Sequence, residues 1–219
     1  MANLRACIFD LDGVIVDTAK YHFLAWKRLA KELDIDFTEE DNEKLKGVSR
    51  IESLKIILDL GNRELDDKTF QEKMDLKNQW FLDYIYKMTP DEVLPGVKEF
   101  LEELQQLNIK IALGSASKNA QTILNQIHMT HYFEVIMDGT TITKAKPDPE
   151  VFVQAAKQLG VPPKSCVVFE DAEKGVEAAL QGKMYVVGIG SAEILKDAHW
   201  VVPGFEHLHW EQLVNHLIH

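Results

Sequence analysis

From Pro90 onward, short β-rich runs alternate with stretches whose apolar residues recur at helical spacing. The runs cover residues 109–113, 133–137, 166–169 and 185–189, with a weaker one at 200–202. Such alternation predicts a parallel sheet, because parallel neighbours need a crossover long enough to hold a helix, and those helices cover both faces. The opening run, 5–9, has the same texture. Residues 19–88 do not: Phe23, Trp26, Ala30 and Leu33 fall on one helical face, Ile51, Leu54 and Leu58 on another, and Gly61 is placed to end that second helix. The predicted architecture is α/β, with a Rossmann-like parallel-sheet core formed by residues 1–17 and 89–219. A small α-helical domain, residues 18–88, is inserted after the first strand.

Composition narrows the partners. A chain of 219 residues with 46% hydrophobic content can bury a substantial core. Its 24 basic and 35 acidic side chains leave a net charge of −11, the wrong sign for binding a phosphate backbone, and no basic stretch reverses it locally, so no nucleic-acid partner is expected. Cys7 and Cys166 each sit inside an apolar run and read as buried free thiols, which suits a reducing cytoplasm. No apolar stretch approaches the roughly 20 residues that a bilayer span requires, so no membrane association is expected. A monomer is expected.

The first strand ends in "FDLDGVIVDT", with Asp10 and Asp12 straddling Leu11. In open parallel sheets ligand-binding groups gather at the carboxyl ends of strands. Three strands here finish in polar clusters: Asp10-Leu11-Asp12, Gly114-Ser115-Ala116-Ser117 and Glu170-Asp171. One Asp-x-Asp is weak evidence, since Asp commonly caps helices and makes turns. Four carboxylates on one rim are stronger, because Asp10, Asp12, Glu170 and Asp171 repel one another unless a cation or protons intervene. All-oxygen ligands that leave room for water and phosphate point to Mg²⁺.

"TKAKPDPEVF" adds a lysine to the rim. Pro147 biases Lys146 away from helix, into a loop leading to a helix that starts near Asp148. Lys144 competes on the same grounds, and a solvated surface lysine is the default for either; the proline favours Lys146. Ser115 offers a hydroxyl to an anion, or equally caps a helix. Together these are the parts for moving a phosphoryl group through an aspartyl-phosphate: Asp10 as nucleophile, Asp12 as proton carrier, Lys146 and Ser115 on the remaining oxygens.

Asp10-x-Asp12-Gly13-Val14, Ser115, Lys146-Pro147 and Glu170-Asp171, in that order, resemble the four motifs of the haloacid dehalogenase superfamily, and the helical insert is similar to that superfamily's small cap. "FDLDGVIVDTAKYHFLAWK", "LKGVSR", "GSASKN" and "AKPDPEVF" further resemble its phosphoglucomutase branch. That resemblance implies a phosphosugar substrate, Mg²⁺, and isomerisation of a hexose phosphate through a bisphosphate. It implies that Arg50, Ser117, Lys118 and Asn119 hold the phosphate distant from the nucleophile. Gly47 and Val48 then lie against the sugar, with Ser49, Trp26 and Ala116 within the same matched segments. It also implies a relay of Thr18, His22 and Lys77 acting with the proton-carrying Asp12.

Read on their own, these residues have plainer explanations. Arg50 can be a solvated side chain, Gly47 a turn residue and His22 a packed imidazole. Lys77 falls inside an apolar stripe of Phe70, Met74, Phe81 and Tyr84 or Ile85, where a snorkelling lysine is the simpler account. A phosphatase acting on a phosphorylated sugar or another small monoester shares the same core residues. A silent phosphosugar sensor would need neither Asp10 nor Asp12.

Overall fold

The computed structural model describes residues 4–45 and 48–218. The chain divides into two compact units: residues 1–17 with 89–219, and residues 18–88.

The first unit is built on six parallel strands: β1 (Ala6–Phe9), β2 (Lys110–Gly114), β3 (Val135–Met137), β4 (Cys166–Glu170), β5 (Tyr185–Ile189) and β6 (Trp200–Val202). Their order is β3-β2-β1-β4-β5-β6, all neighbours parallel. The chain winds from β1 outward to β3, then returns to β4 and winds the other way. The reversal lies between β1 and β4, which is where an open sheet of this kind leaves a crevice. The register pairs Phe9 with both Leu113 and Phe169, so the residues just beyond β1, β2 and β4 emerge side by side.

Alternation along the strands sends side chains to two buried faces. Ala6, Ile8, Ala112, Cys166, Val168 and Val186 pack beneath α7 (Glu150–Leu159) and α8 (Glu173–Gln181), through Phe152, Ala155, Ala156, Val176 and Ala179. On the other face Phe9 stacks on Phe169 with ring centroids 4.6 Å apart and meets Phe100 of α5 (Val97–Gln106) edge-on at 6.3 Å. Truncating a buried phenylalanine in such a cluster costs about 3–5 kcal/mol, so Phe9 ties β1 to its neighbours directly beneath Asp10. Two further helices complete the unit, α6 (Ala120–Gln126) and α9 (Trp210–Ile218).

The second unit is all-helical: α1 (Ala19–Glu32), α2 (Glu39–Glu43), α3 (Arg50–Leu60) and α4 (Asp67–Ile85). Side chains cap three of these. Thr38, Ser49 and Asp66 accept from the amides of Asp41, Glu52 and Thr69, satisfying donors that a helix start leaves unpaired. No described helix is long and apolar enough to cross a membrane.

Several sequence expectations shift locally. Ile51 is 50% exposed, because α3 buries Ser53, Leu54, Ile57 and Leu58 instead. In α4, Trp80 joins Met74, Phe81 and Ile85 on the buried face, while Phe70 and Tyr84 are only half-buried. The helix expected near Asp148 begins at Glu150, since the Asp148 carboxylate accepts from the Glu150 amide. Phe133 and Glu134 fall outside β3, the Glu134 amide donating instead to the Ile111 carbonyl.

Candidate active site

Asp10 leaves β1 with its amide donating to the Phe169 carbonyl at 3.0 Å, which fixes its backbone against β4. One carboxylate oxygen, Oδ2, accepts from the Asp12 amide at 3.0 Å; the other, Oδ1, accepts from Lys146 Nζ at 2.5 Å. Lys146 also donates to Glu170 Oε1, and Glu170 Oε2 accepts from the Ala172 amide at 3.0 Å. Asp10 and Lys146 are each 7% exposed and Glu170 is 1% exposed. The lysine ring of contacts is completed by Phe152, whose centroid lies 4.7 Å from Nζ. Lys144, by contrast, pairs with Asp148 at the surface.

Burial on its own would lower the Lys146 pKa, but the charges of Asp10 and Glu170 and the bonds to them outweigh it, so the net shift is upward. It stays an ammonium. Burial raises Glu170, against the pull of Lys146 and with a push from Asp10. Asp171 is pushed up to about 8, first by burial and then by the negative charges of Glu170, Asp10 and Asp12. One lysine therefore does not balance the acid cluster. The Asp171 carboxylate lies against Gly13, where φ is +78° and a Cβ would overlap it.

Ser115 leaves β2 with its amide donating to the Met137 carbonyl at 3.0 Å. Its hydroxyl is almost wholly buried and accepts from the Ser117 amide at 3.1 Å; the Ser117 hydroxyl accepts in turn from the Asn119 amide at 3.2 Å. These nested turns give residues 115–119 a defined shape ahead of α6. Ala116, Ser117 and Asn119 are half-buried and Lys118 is exposed.

In the helical unit, Lys77 is 1% exposed, too deep for a snorkelling side chain. Its Nζ lies 2.8 Å from His22 Nδ1, 4.4 Å from the Trp26 ring and 4.8 Å from the Phe81 ring, on which the imidazole stacks at 4.1 Å. Burial, then Lys77, then Arg50 hold the His22 pKa well below its ordinary value, so the imidazole is neutral. Because an ammonium only donates, Nδ1 is the acceptor and Nε2 carries the hydrogen. Thr18 is buried at the start of α1. Arg50 opens α3 half-buried, beside Ser49, whose hydroxyl is engaged as the helix cap. Val48 is half-buried, with its amide donating to the Leu45 carbonyl. Gly47 lies outside the described residues.

A family model for haloacid dehalogenase-like hydrolases matches residues 4–182. The chain belongs to that family. Among individual haloacid dehalogenase-like relatives, the β-phosphoglucomutase of Bacillus subtilis (strain 168) is 46% identical over 201 residues, spanning 91% of this chain and 89% of that protein. A phosphorylated carbohydrates phosphatase of Thermotoga maritima is 31% identical over 178 residues, covering 80% of each. The crystal structure of β-phosphoglucomutase from Clostridium difficile superposes with a TM-score of 0.93 at 40% identity, covering 98% of this chain and 97% of that one.

One residue that shapes the site carries no chemistry legible in the sequence. Gly175, in the first turn of α8, lies beneath Glu170, and any Cβ there would overlap the carboxylate. Its only sequence signal is a glycine early in a helix, where the residue is otherwise unfavourable.

Proposed function

We propose that this protein acts as a β-phosphoglucomutase, interconverting β-D-glucose 1-phosphate and β-D-glucose 6-phosphate through a phosphoaspartyl enzyme and a bound β-glucose 1,6-bisphosphate. The observation that carries the reading is the buried bond from Lys146 to Asp10 at the sheet's reversal point, in a chain 46% identical to a β-phosphoglucomutase.

Asp10 is the nucleophile. A carboxylate oxygen attacks phosphorus of the bisphosphate, a P–O bond to the sugar breaks, and the departing sugar oxygen takes a proton from the Asp12 carboxyl. In the return direction the other hydroxyl of the monophosphate attacks the phosphoaspartate, gives its proton to the Asp12 carboxylate, and Asp10 is released. Lys146 has three N–H groups, of which Asp10 and Glu170 take two. The third serves an oxygen of the transferring phosphoryl group, and Ser115 stands on the neighbouring strand end.

The donor set fits Mg²⁺. Asp171 is raised first by burial and then by unbalanced negative charge, and a dication relieves that charge. Among the described residues no three of His, Cys, Asp and Glu form a ready metal cage. That suits an ion which takes one or two carboxylates and completes its shell with water and phosphate. Asp10 and Asp171 are the carboxylates we assign to it, with Asp12 alongside. Glu170, which accepts from Lys146 and the Ala172 amide, is assigned chiefly to holding Lys146. Bound there, Mg²⁺ offsets the charge that would otherwise keep carboxylate and phosphate apart.

Arg50, Ser117, Lys118 and Asn119 are assigned to the phosphate that is not being transferred, Arg50 as a planar fork. Val48, Gly47, Ser49, Trp26 and Ala116 are assigned to the sugar. His22, Lys77 and Thr18 are assigned to the relay that acts with Asp12.

The phosphatase relative supports a second reading, in which water rather than a sugar hydroxyl takes the phosphoryl group. One assay separates them: β-glucose 1-phosphate, Mg²⁺ and a trace of glucose 1,6-bisphosphate, with glucose 6-phosphate followed against free phosphate. Isomerisation with little phosphate released is expected; phosphate release without isomerisation overturns the mutase reading.

A further inference from the structure

We infer that Gly139, in the turn after β3, is a positioning residue that sets the geometry of the 115–119 loop and through it the affinity for the phosphate that is not transferred. The inference rests on the proposed role of that loop. The Gly139 amide donates to the Ser117 carbonyl at 3.1 Å. A Cβ built on Gly139 would overlap the Ala116 carbonyl oxygen and stand 3.0 Å from both the backbone nitrogen and the Cγ of Lys118. Two backbones thus meet with no room between them, and the obstacle is main chain, which cannot swing aside as a side-chain tip can.

The turn that carries Gly139 is itself rigid. The Asp138 amide donates to Thr141 Oγ1 at 2.9 Å, and Asp138 Oδ1 accepts from the Thr140 amide at 2.9 Å and the Thr140 hydroxyl at 2.6 Å. Asp138 is 7% exposed, while its partners Thr140 and Thr141 are exposed, so these bonds are sheltered on the Asp138 side only. Ser115 is anchored to the same strand through its amide bond to the Met137 carbonyl. The 115–119 loop is therefore gripped at two points, Ser115 and Ser117, by residues 137 and 139. Gly139 does not have a positive φ, so alanine suits its backbone and the substitution acts through the collision with residues 116–118 alone.

Displacing that loop moves Ser117, Lys118 and Asn119, whereas Asp10 just beyond β1, Glu170 at the end of β4 and Lys146 in the turn before α7 are held by their bonds to one another. The test is the split between KM and kcat for isomerisation of β-glucose 1-phosphate, with thermal unfolding and circular dichroism recorded on the same samples. For Gly139→Ala, KM for the sugar phosphate rises about tenfold, the loss of one charged hydrogen bond, while kcat stays within about threefold. Thr140→Ala, which loosens the same turn without filling the gap, moves KM less than Gly139→Ala does. A folded Gly139→Ala with unchanged KM, or a fall in kcat with KM constant, overturns the inference.

Should Gly139→Ala fail to fold, the wild-type protein decides by hydrogen exchange with glucose 6-phosphate as the probe. The amides of Gly139 and of residues 117–119 slow together on binding; slowing at 117–119 with none at Gly139 overturns the inference. Wild-type protein that neither binds nor isomerises these sugar phosphates overturns the parent reading and this inference with it, whereas active wild type with an indifferent variant overturns this inference alone.

Discussion

Lys146 Nζ lies 2.5 Å from Asp10 Oδ1, and both side chains are buried. The lysine is therefore the counter-ion that lets Asp10 and Glu170 stay buried, and in the proposed mechanism it is also a charge for the reacting phosphate. Lys146→Gln lowers turnover by about 10²–10³-fold, the range for removing one donor aimed at developing charge. Its stability changes with pH. Without the ammonium the Glu170 carboxyl, already raised by burial, loses the charge that pulls it down and is raised further above its unfolded value, so stability from it is present at low pH and lost as pH rises. The gap in Tm between wild type and variant, both freed of metal, widens from acid to neutral pH; a gap constant with pH contradicts the counter-ion role.

Asp171 gives the wild type its own pH signature. Its folded pKa is raised from 3.8 to about 8, so the native state binds the extra proton. Stability from this group is complete below the unfolded pKa and is lost as pH climbs through about 8. Mg²⁺ competes with that proton. Calorimetry with and without Mg²⁺ at about pH 6 and about pH 8.5 shows the larger metal-induced rise in Tm at the higher pH. Equal rises at both contradict a proton–metal exchange on this carboxylate.

Lys77 tests whether a buried cation in the helical unit serves function or packing. Methionine has a similar volume, and an apolar side chain among Trp26 and Phe81 costs little, so Lys77→Met holds Tm within about 4 °C of wild type. Isomerisation falls at least about tenfold if the ammonium is used in turnover. Full activity in the variant leaves Lys77 a structural residue only.

Arg50 separates mutase from phosphatase behaviour. Arg50→Ala raises KM for glucose 1,6-bisphosphate by about tenfold or more, because a charged, forked contact is lost. Hydrolysis of p-nitrophenyl phosphate, which has one phosphate, stays within about twofold. Equal losses on both substrates contradict the assignment.

Much of this was legible in the sequence for a physical reason. Strands β1, β2 and β4 are compact, near-continuous apolar runs in a sheet buried on both faces, and Asp10, Ser115 and Glu170 sit where those runs stop. Lys146 was legible through Pro147, which constrains its neighbour locally. What was hidden depends on close approach between segments far apart in the chain. Gly139 against Ala116 and Gly175 against Glu170 carry no local pattern, and His22 and Lys77 were linked only through the family resemblance. Ile51 misled for the opposite reason, since helical spacing says which residues share a face but not which face is buried.

The most direct measurement is to quench the enzyme during turnover of ³²P-labelled glucose 1,6-bisphosphate, reduce the acyl phosphate with borohydride, digest, and locate the modified residue by mass spectrometry. Modification on Asp10, absent in Asp10→Asn, is the predicted result. Brisk isomerisation with the modification on another residue, or on none, contradicts the account.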